Sequence, residues 1–137
     1  MKKILILLFS ILFLSSPYVK AETVFYCQSE FATGFNFSVE NGSWGPAEFE
    51  LLRWTIKFND SYSKLYGLDD PLHPYFCSPA YTHTPNLLAC LSGYKNGQSF
   101  MFNKVNNRFL FNSSDIRGYV DNSPDTDSIY VGTCSKF

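Results

Sequence analysis

Residues 98–113 read QSFMFNKVNNRFLFNS, two runs of alternating apolar and polar residues joined by Asn106-Asn107. Alternation with a period of two is typical of a β-strand with one buried face, and an Asn-Asn pair can supply the two positive φ angles of a type I′ turn. We therefore predict a hairpin in which Val105 lies opposite Arg108. Because residues two apart point to the same side of a strand, one face of this hairpin carries four phenylalanines. They are Phe100, Phe102, Phe109 and Phe111, and they predict a hydrophobic core.

The same alternation recurs along the chain and predicts an all-β protein. Seven segments have the period of a strand and are bounded by clusters of Gly, Asn, Pro and Ser. They are Thr23–Ser29, Gly34–Val39, Leu51–Asn59, Leu87–Ser92, Gln98–Asn103, Arg108–Ser113 and Ser128–Cys134. We expect a small antiparallel β-barrel or sandwich of about seven to eight strands after signal-peptide removal.

Two of these segments have apolar sets that we expect to face the core. The sets are Leu52, Trp54, Ile56 and Phe58 in one segment, and Phe35, Phe37 and Val39 in the other. After the turn signal Asn41-Gly42, the sequence Trp44-Gly45-Pro46 should end extended pairing, because proline has no N–H to donate to a neighbouring strand. A loop that contains Trp44 is therefore predicted.

The amino terminus has the three parts of a cleavable signal peptide. Lys2 and Lys3 precede an apolar run from Ile4 to Leu14, and Val19 and Ala21 have the spacing of a cleavage site. The apolar run is much shorter than the roughly 20 residues that a membrane-spanning helix needs, so we expect no stable membrane anchor.

Cleavage after residue 21 would leave residues 22–137 as a single disulfide-braced β domain, large enough to form its own core. This domain has 8 basic and 12 acidic side chains, so its net charge is about −4 and nucleic acid is not an expected partner. The Lys-Lys start and the abundance of Asn, Lys, Ile and Phe are typical of bacterial chains. A secreted or periplasmic protein is predicted.

All four cysteines lie in this domain, and an even number in a small exported domain indicates a disulfide framework. Three pairings are possible. We prefer Cys27–Cys134 with Cys77–Cys90, because the first pair would join the first and last strands and the second would close one long loop.

The alternation lapses between Asp60 and Asn86, a segment that contains four prolines. Ser61–Tyr66 is expected to form a short helix and the remainder a long loop, of a kind that is usually functional. Six tyrosines fall in predicted loops, where amphipathic rings often contribute to binding surfaces: Tyr62, Tyr66, Tyr75, Tyr81, Tyr94 and Tyr119. We predict a contact surface that consists of Tyr75, Phe76, Tyr81 and Tyr94.

Few residues suggest catalysis or metal binding. His73 and His83 lie in the same proline-rich segment, next to Asp69-Asp70, but their separation matches no recognised zinc or nickel spacing. The series Asp121, Ser123, Asp125 and Asp127 alternates as calcium ligands do, but it lacks the glycine and the final glutamate of a calcium loop. We predict no catalytic residue, no metal and no cofactor.

The Tyr26-Cys27 opening, the successive antiparallel strands and the Gly132-Thr133-Cys134 ending resemble small periplasmic eight-stranded barrels such as the C-type lysozyme inhibitors. The resemblance implies a barrel fold. Residues 92–97 depart from the Ser/Gly-rich inhibitory loop of that family, so no site residue is transferred.

Besides a purely structural component of the envelope, two functions remain open from the sequence. The first is an exported, non-enzymatic binding protein of the bacterial envelope that contacts an unknown protein or small ligand through its loops, chiefly through residues 60–86. The alternative is a hydrolase of envelope polymers that uses paired carboxylates or a loop-bound metal.

Overall fold

A computed structural model describes residues 22–68, 72–94, 96–114 and 117–137, and the predicted signal peptide lies outside this range. Every regular element in the described ranges is a β-strand, which confirms the all-β prediction. The strands are β1 (Thr23–Ser38), β2 (Ser43–Glu48), β3 (Arg53–Phe58), β4 (Lys64–Tyr66), β5 (Tyr75–Pro79), β6 (Leu87–Ser92), β7 (Ser99–Asn103), β8 (Arg108–Asn112) and β9 (Asp127–Lys136).

Eight of these strands close into an antiparallel barrel. Their order is β1-β3-β4-β5-β6-β7-β8-β9, and β9 pairs back onto β1. The remaining strand, β2, pairs with the second half of β1 beyond the barrel wall. The fold is therefore a closed barrel with one extra strand, and this confirms the barrel reading of the sequence.

The hairpin of residues 98–113 forms as β7 and β8, with a different register from the predicted one. Phe102 lies opposite Phe109, and a loop of residues 104–107 replaces the two-residue turn. Asn107 alone of the two turn asparagines has a positive φ, 56°, so the predicted type I′ turn is wrong. The register differs by two residues, an even number, and so the four phenylalanines still share the inner face.

Aromatic rings fill the interior of the barrel. Phe58, Phe100 and Phe102 are completely buried, and Phe58 stacks on Phe102 with 5.3 Å between ring centroids. Trp54 makes edge contacts with three further rings, at centroid distances of 5.5–5.8 Å. Burial of each ring contributes about 1.5–3 kcal/mol, so this cluster is the main source of stability.

A β-bulge divides β1 into two parts that face different ways. The register with β9 shifts between Ser29 and Phe31, which inserts Glu30 as an extra residue. Before the bulge the odd-numbered residues point into the barrel, and after it they point outward. Phe35 is consequently 54% exposed and Val39 81% exposed, so the prediction that they face the core is wrong.

Two segments that were predicted to be irregular are strands. Trp44-Gly45-Pro46 lies within β2, and the ribbon of β1 and β2 tolerates Pro46 because β2 is an edge strand. The predicted helix Ser61–Tyr66 is a turn followed by β4. The predicted long loop also contains β5, so residues 60–86 supply two strands of the barrel.

Two disulfides link directly opposed residues of neighbouring strands. Cys27 of β1 bonds to Cys134 of β9, and Cys77 of β5 bonds to Cys90 of β6. These are the two pairs preferred from the sequence. The sulfurs of both disulfides lie on the inner side of the barrel wall. The two disulfides fit an oxidising environment.

Gly132 allows β9 to lie close to the bulged part of β1. A Cβ atom at this position would lie 2.1 Å from the carbonyl oxygen of Gln28 and 2.8 Å from the Cα of Ser29. Both atoms belong to the backbone of the partner strand, so they cannot move aside without opening the pair. The closure of the barrel therefore requires a glycine here.

We expect Gly132→Ala to destabilise the protein by about 3 kcal/mol, since overpacking against backbone cannot relax by a rotamer change. Gly45→Ala is the matched control, because a Cβ there meets no atom within 4 Å. Its effect should stay below about 1 kcal/mol. Urea unfolding of both variants measures the difference, and equal midpoints would contradict the role assigned to Gly132.

Removal of the two disulfides should have unequal effects. They close separations of 107 and 13 residues, for which chain entropy gives about 4.7 and 3 kcal/mol. The Cys27→Ala/Cys134→Ala variant should therefore unfold at a lower urea concentration than Cys77→Ala/Cys90→Ala. The reverse order would show that strand closure does not depend on the long-range bond.

Candidate binding groove at one end of the barrel

The connections between strands lie at two opposite ends of the barrel, because neighbouring strands are antiparallel. One end carries the ribbon of β1 and β2 together with the connections 67–74, 93–98 and 113–126. We call it the ribbon end. The other end carries the shorter connections 59–63, 80–86 and 104–107. Most of the described residues outside the strands therefore lie at the ribbon end.

A groove of about 730 Å³ lies at the ribbon end, between the ribbon and the connection 113–126. Its described lining is mostly apolar, with three polar side chains at its margin. The lining residues are Phe35, Trp44, Gly45, Pro46, Gly97, Asn112, Ser114, Tyr119, Val120 and Asp127. A concave apolar surface with a few polar groups is the usual form of a binding site.

Trp44, which lines this groove, lies between two other aromatic rings. It makes edge contacts with Phe37 on one side, at 5.9 Å between centroids, and with Tyr119 on the other, at 5.6 Å. Its indole N–H is buried and has no hydrogen-bond acceptor among the described residues. An unsatisfied buried donor costs about 1–3 kcal/mol, and such groups call for an explanation that packing alone does not give.

The backbone around Tyr119 is held by one hydrogen bond to β9 and one within its own loop. The backbone N–H of Tyr119 donates to Oδ2 of Asp127 at 3.2 Å, and the backbone N–H of Ser123 donates to the carbonyl of Gly118 at 3.1 Å. The Tyr119 side chain is nevertheless 66% exposed, and that of Val120 is 80% exposed. The loop thus fixes the backbone and presents apolar side chains to solvent.

The four residues of the predicted contact surface lie in four different places. Tyr75 is buried in the barrel, where its hydroxyl donates to Oε1 of Gln98 at 3.2 Å. Phe76 is on the outer wall opposite Leu91, and Tyr81 is at the end away from the ribbon. Tyr94 is at the ribbon end but is not among the described lining residues of the groove.

The two histidines are separated in the same way. His73 precedes β5 at the ribbon end, where its ring lies 4.1 Å from that of Tyr94 and its Nδ1 is hydrogen-bonded to the tyrosine hydroxyl. His83 follows β5 at the other end and stacks with Tyr81. The histidines cannot share a metal ion, and residues 69 and 70 lie outside the described residues. Within the described ranges no group of three or more His, Cys, Asp or Glu is placed to hold a metal.

Sequence reasoning missed the groove because its parts are distant in the chain. Tyr119 was recognised as a loop tyrosine and Trp44 as a loop tryptophan, but nothing in the sequence brings them together. The alternation of Phe35, Phe37, Trp44 and Pro46 around Asn41-Gly42 was a hairpin signal. Reading it would have placed Trp44 beside Phe37.

Comparisons with protein-family models, with curated proteins and with solved structures each return no match. The described part of the chain also lacks any helix with the length and apolar character that a bilayer crossing requires. The groove is therefore interpreted from its own geometry.

The contact between Trp44 and Tyr119 can be tested by the indole signals of the two tryptophans in a ¹⁵N–¹H spectrum. Tyr119→Ala should shift the Trp44 indole signal, because the ring 5.6 Å away is lost, and should leave that of Trp54 in place. Tyr81→Ala, at the opposite end, should move neither signal. If Tyr119→Ala leaves the Trp44 indole signal unchanged, the groove as described is ruled out.

Proposed function

We propose that the protein is an exported, non-enzymatic binding protein of the bacterial envelope, periplasmic or secreted, that holds a partner in the groove at the ribbon end. The observation that carries the proposal is the Trp44–Tyr119 pair, two rings in edge contact at the wall of a concave apolar surface. Trp and Tyr at the centre of a desolvated surface are the residues that most often dominate binding energy.

The packed interior of the barrel supports a partner that binds outside it. Phe58, Phe100 and Phe102 occupy the space that a ligand would need in a hollow barrel, and each is completely buried. A protein that binds a small molecule inside a barrel keeps a cavity there. A protein partner that binds at the surface is therefore favoured over a small ligand in the interior.

Export is supported by two independent features. The sequence of residues 1–21 has the charged, apolar and small-residue parts of a signal peptide. The disulfides Cys27–Cys134 and Cys77–Cys90 are of a kind that persists in oxidising compartments. The Lys-Lys start and the abundance of Asn, Lys, Ile and Phe favour a bacterial source.

The test is capture of a partner from an envelope extract by immobilised protein. Trp44→Ala/Tyr119→Ala should weaken capture by roughly thirtyfold, since truncation of central Trp and Tyr side chains costs about 2 kcal/mol or more. Tyr81→Ala/His83→Ala is the matched control, because it removes a stacked aromatic pair at the opposite end. The free energy of unfolding of both variants, measured in urea, should stay within about 1 kcal/mol of the wild-type value.

Equal capture by the groove variant and the wild type would refute the proposal. Turnover of purified peptidoglycan by the wild-type protein would instead support the hydrolase alternative, so the same preparation should be assayed for it. Shortening residues 60–86 would not test a loop contact, because that change removes β4 and β5 from the barrel.

A further inference from the structure

We infer that the groove receives a positively charged side chain, arginine or lysine, from a basic protein partner. The inference rests on the proposed function, since it names the chemistry of what that same groove binds. It is carried by three observations: the charge of the elements around the groove, the arrangement of its rings, and the position of the Asp127 carboxylate.

The two elements that form the groove are strongly acidic. From residue 33 to residue 52, the ribbon and the residues that follow it, the sequence has three glutamates and no Lys, Arg or His. From residue 109 to residue 135 it has four aspartates and a single basic residue, Arg117. Arg117 is not among the described lining residues of the groove. Both walls of the groove therefore favour a cationic partner.

The basic residues of the chain lie mainly on other elements. Arg53 and Lys57 belong to β3 and Lys64 to β4, while Lys104 and Arg108 are at the end away from the ribbon. Lys95, in the connection next to Gly97, lies outside the described residues. This asymmetry would orient a basic partner toward the ribbon end as it approaches, because charges of one sign on one face steer association.

The rings are arranged to contact a cation from two directions. The planes of Trp44 and Tyr119 are inclined by 78°, with centroids 5.6 Å apart, so together they form a corner. Phe35 is 54% exposed and lines the same groove. The face of an aromatic ring attracts a cation, most strongly for Trp, and arginine also stacks on aromatic faces through its planar guanidinium.

Asp127 supplies the opposite charge beside these rings. Its Oδ2 accepts the N–H of Tyr119, and a carboxylate has capacity for further donors. An arginine side chain can donate two parallel hydrogen bonds to a carboxylate while its plane rests on a ring. Among the described lining residues the one charged group, the Asp127 carboxylate, is an acceptor only, which suits a cationic donor better than a neutral sugar.

The probe is a pair of short peptides that differ at one position, arginine in one and citrulline in the other. Citrulline has nearly the same shape and no charge. We expect the arginine peptide to shift the Trp44 indole signal saturably, with a roughly millimolar dissociation constant, and the citrulline peptide to bind at least about tenfold more weakly. Raising the salt concentration from about 50 to 300 mM should weaken binding of the arginine peptide severalfold.

Asp127→Asn should weaken binding of the arginine peptide by about tenfold and leave the citrulline peptide unaffected. The amide oxygen of Asn can still accept the N–H of Tyr119, and an unchanged Tyr119 amide signal checks that the loop is intact. Glu30→Gln is the matched control, because Glu30 lies at the bulge of β1, where its Oε1 accepts a hydrogen bond from the Thr133 hydroxyl. It should leave binding of both peptides unchanged.

The inference is overturned if the two peptides bind equally, if neither shifts Trp44, or if a neutral chitin oligosaccharide shifts it instead. Its failure can be told apart from failure of the proposed function. If Trp44→Ala/Tyr119→Ala loses the captured partner while Asp127→Asn keeps it, the groove binds a partner that is not recognised by its charge. If neither variant loses the partner, the groove itself is not the binding site.

Discussion

The pairing of β1 with β9 is the constraint on which the rest of the structure depends. It joins the two ends of the sheet over ten residue pairs, from Phe25↔Lys136 to Phe35↔Asp127, and without it the sheet would have two open edges. Only a closed wall encloses the ring cluster on all sides. Gly132 permits the close approach of the two strands, and the Cys27–Cys134 bond holds it covalently.

The same pairing also positions the groove. β9 continues to pair with β1 beyond the bulge. One edge of the second half of β1 is therefore occupied by β9, and the other edge pairs with β2. Asp127, the first residue of β9, then lies beside the ribbon and holds the loop of Tyr119. The aromatic rings therefore form two separate sets, with the buried phenylalanines inside the wall and Trp44 and Tyr119 outside it.

The sequence predicted those features that depend only on local periodicity. The core face of the 98–113 hairpin was right even though its register and turn were wrong, because an error of two residues does not exchange the faces of a strand. The short strands β4 and β5 were missed, since three residues are too few to show alternation and β5 begins directly after Pro74 and includes Pro79. Phe35 was misplaced because Glu30 bulges, which reverses the alternation. The groove joins distant segments, so no local pattern could reveal it.

The closure of the barrel by its first and last strands has a consequence for the order in which cysteines meet. In a chain that is delivered amino end first, Cys27 becomes available before every other cysteine, whereas its partner Cys134 comes last. Cys77 and Cys90 both follow in the interval. In such a chain the thiol of Cys27 either stays unpaired until Cys134 arrives or exchanges a provisional partner for it, so the bond that closes the barrel cannot form before the last cysteine is available.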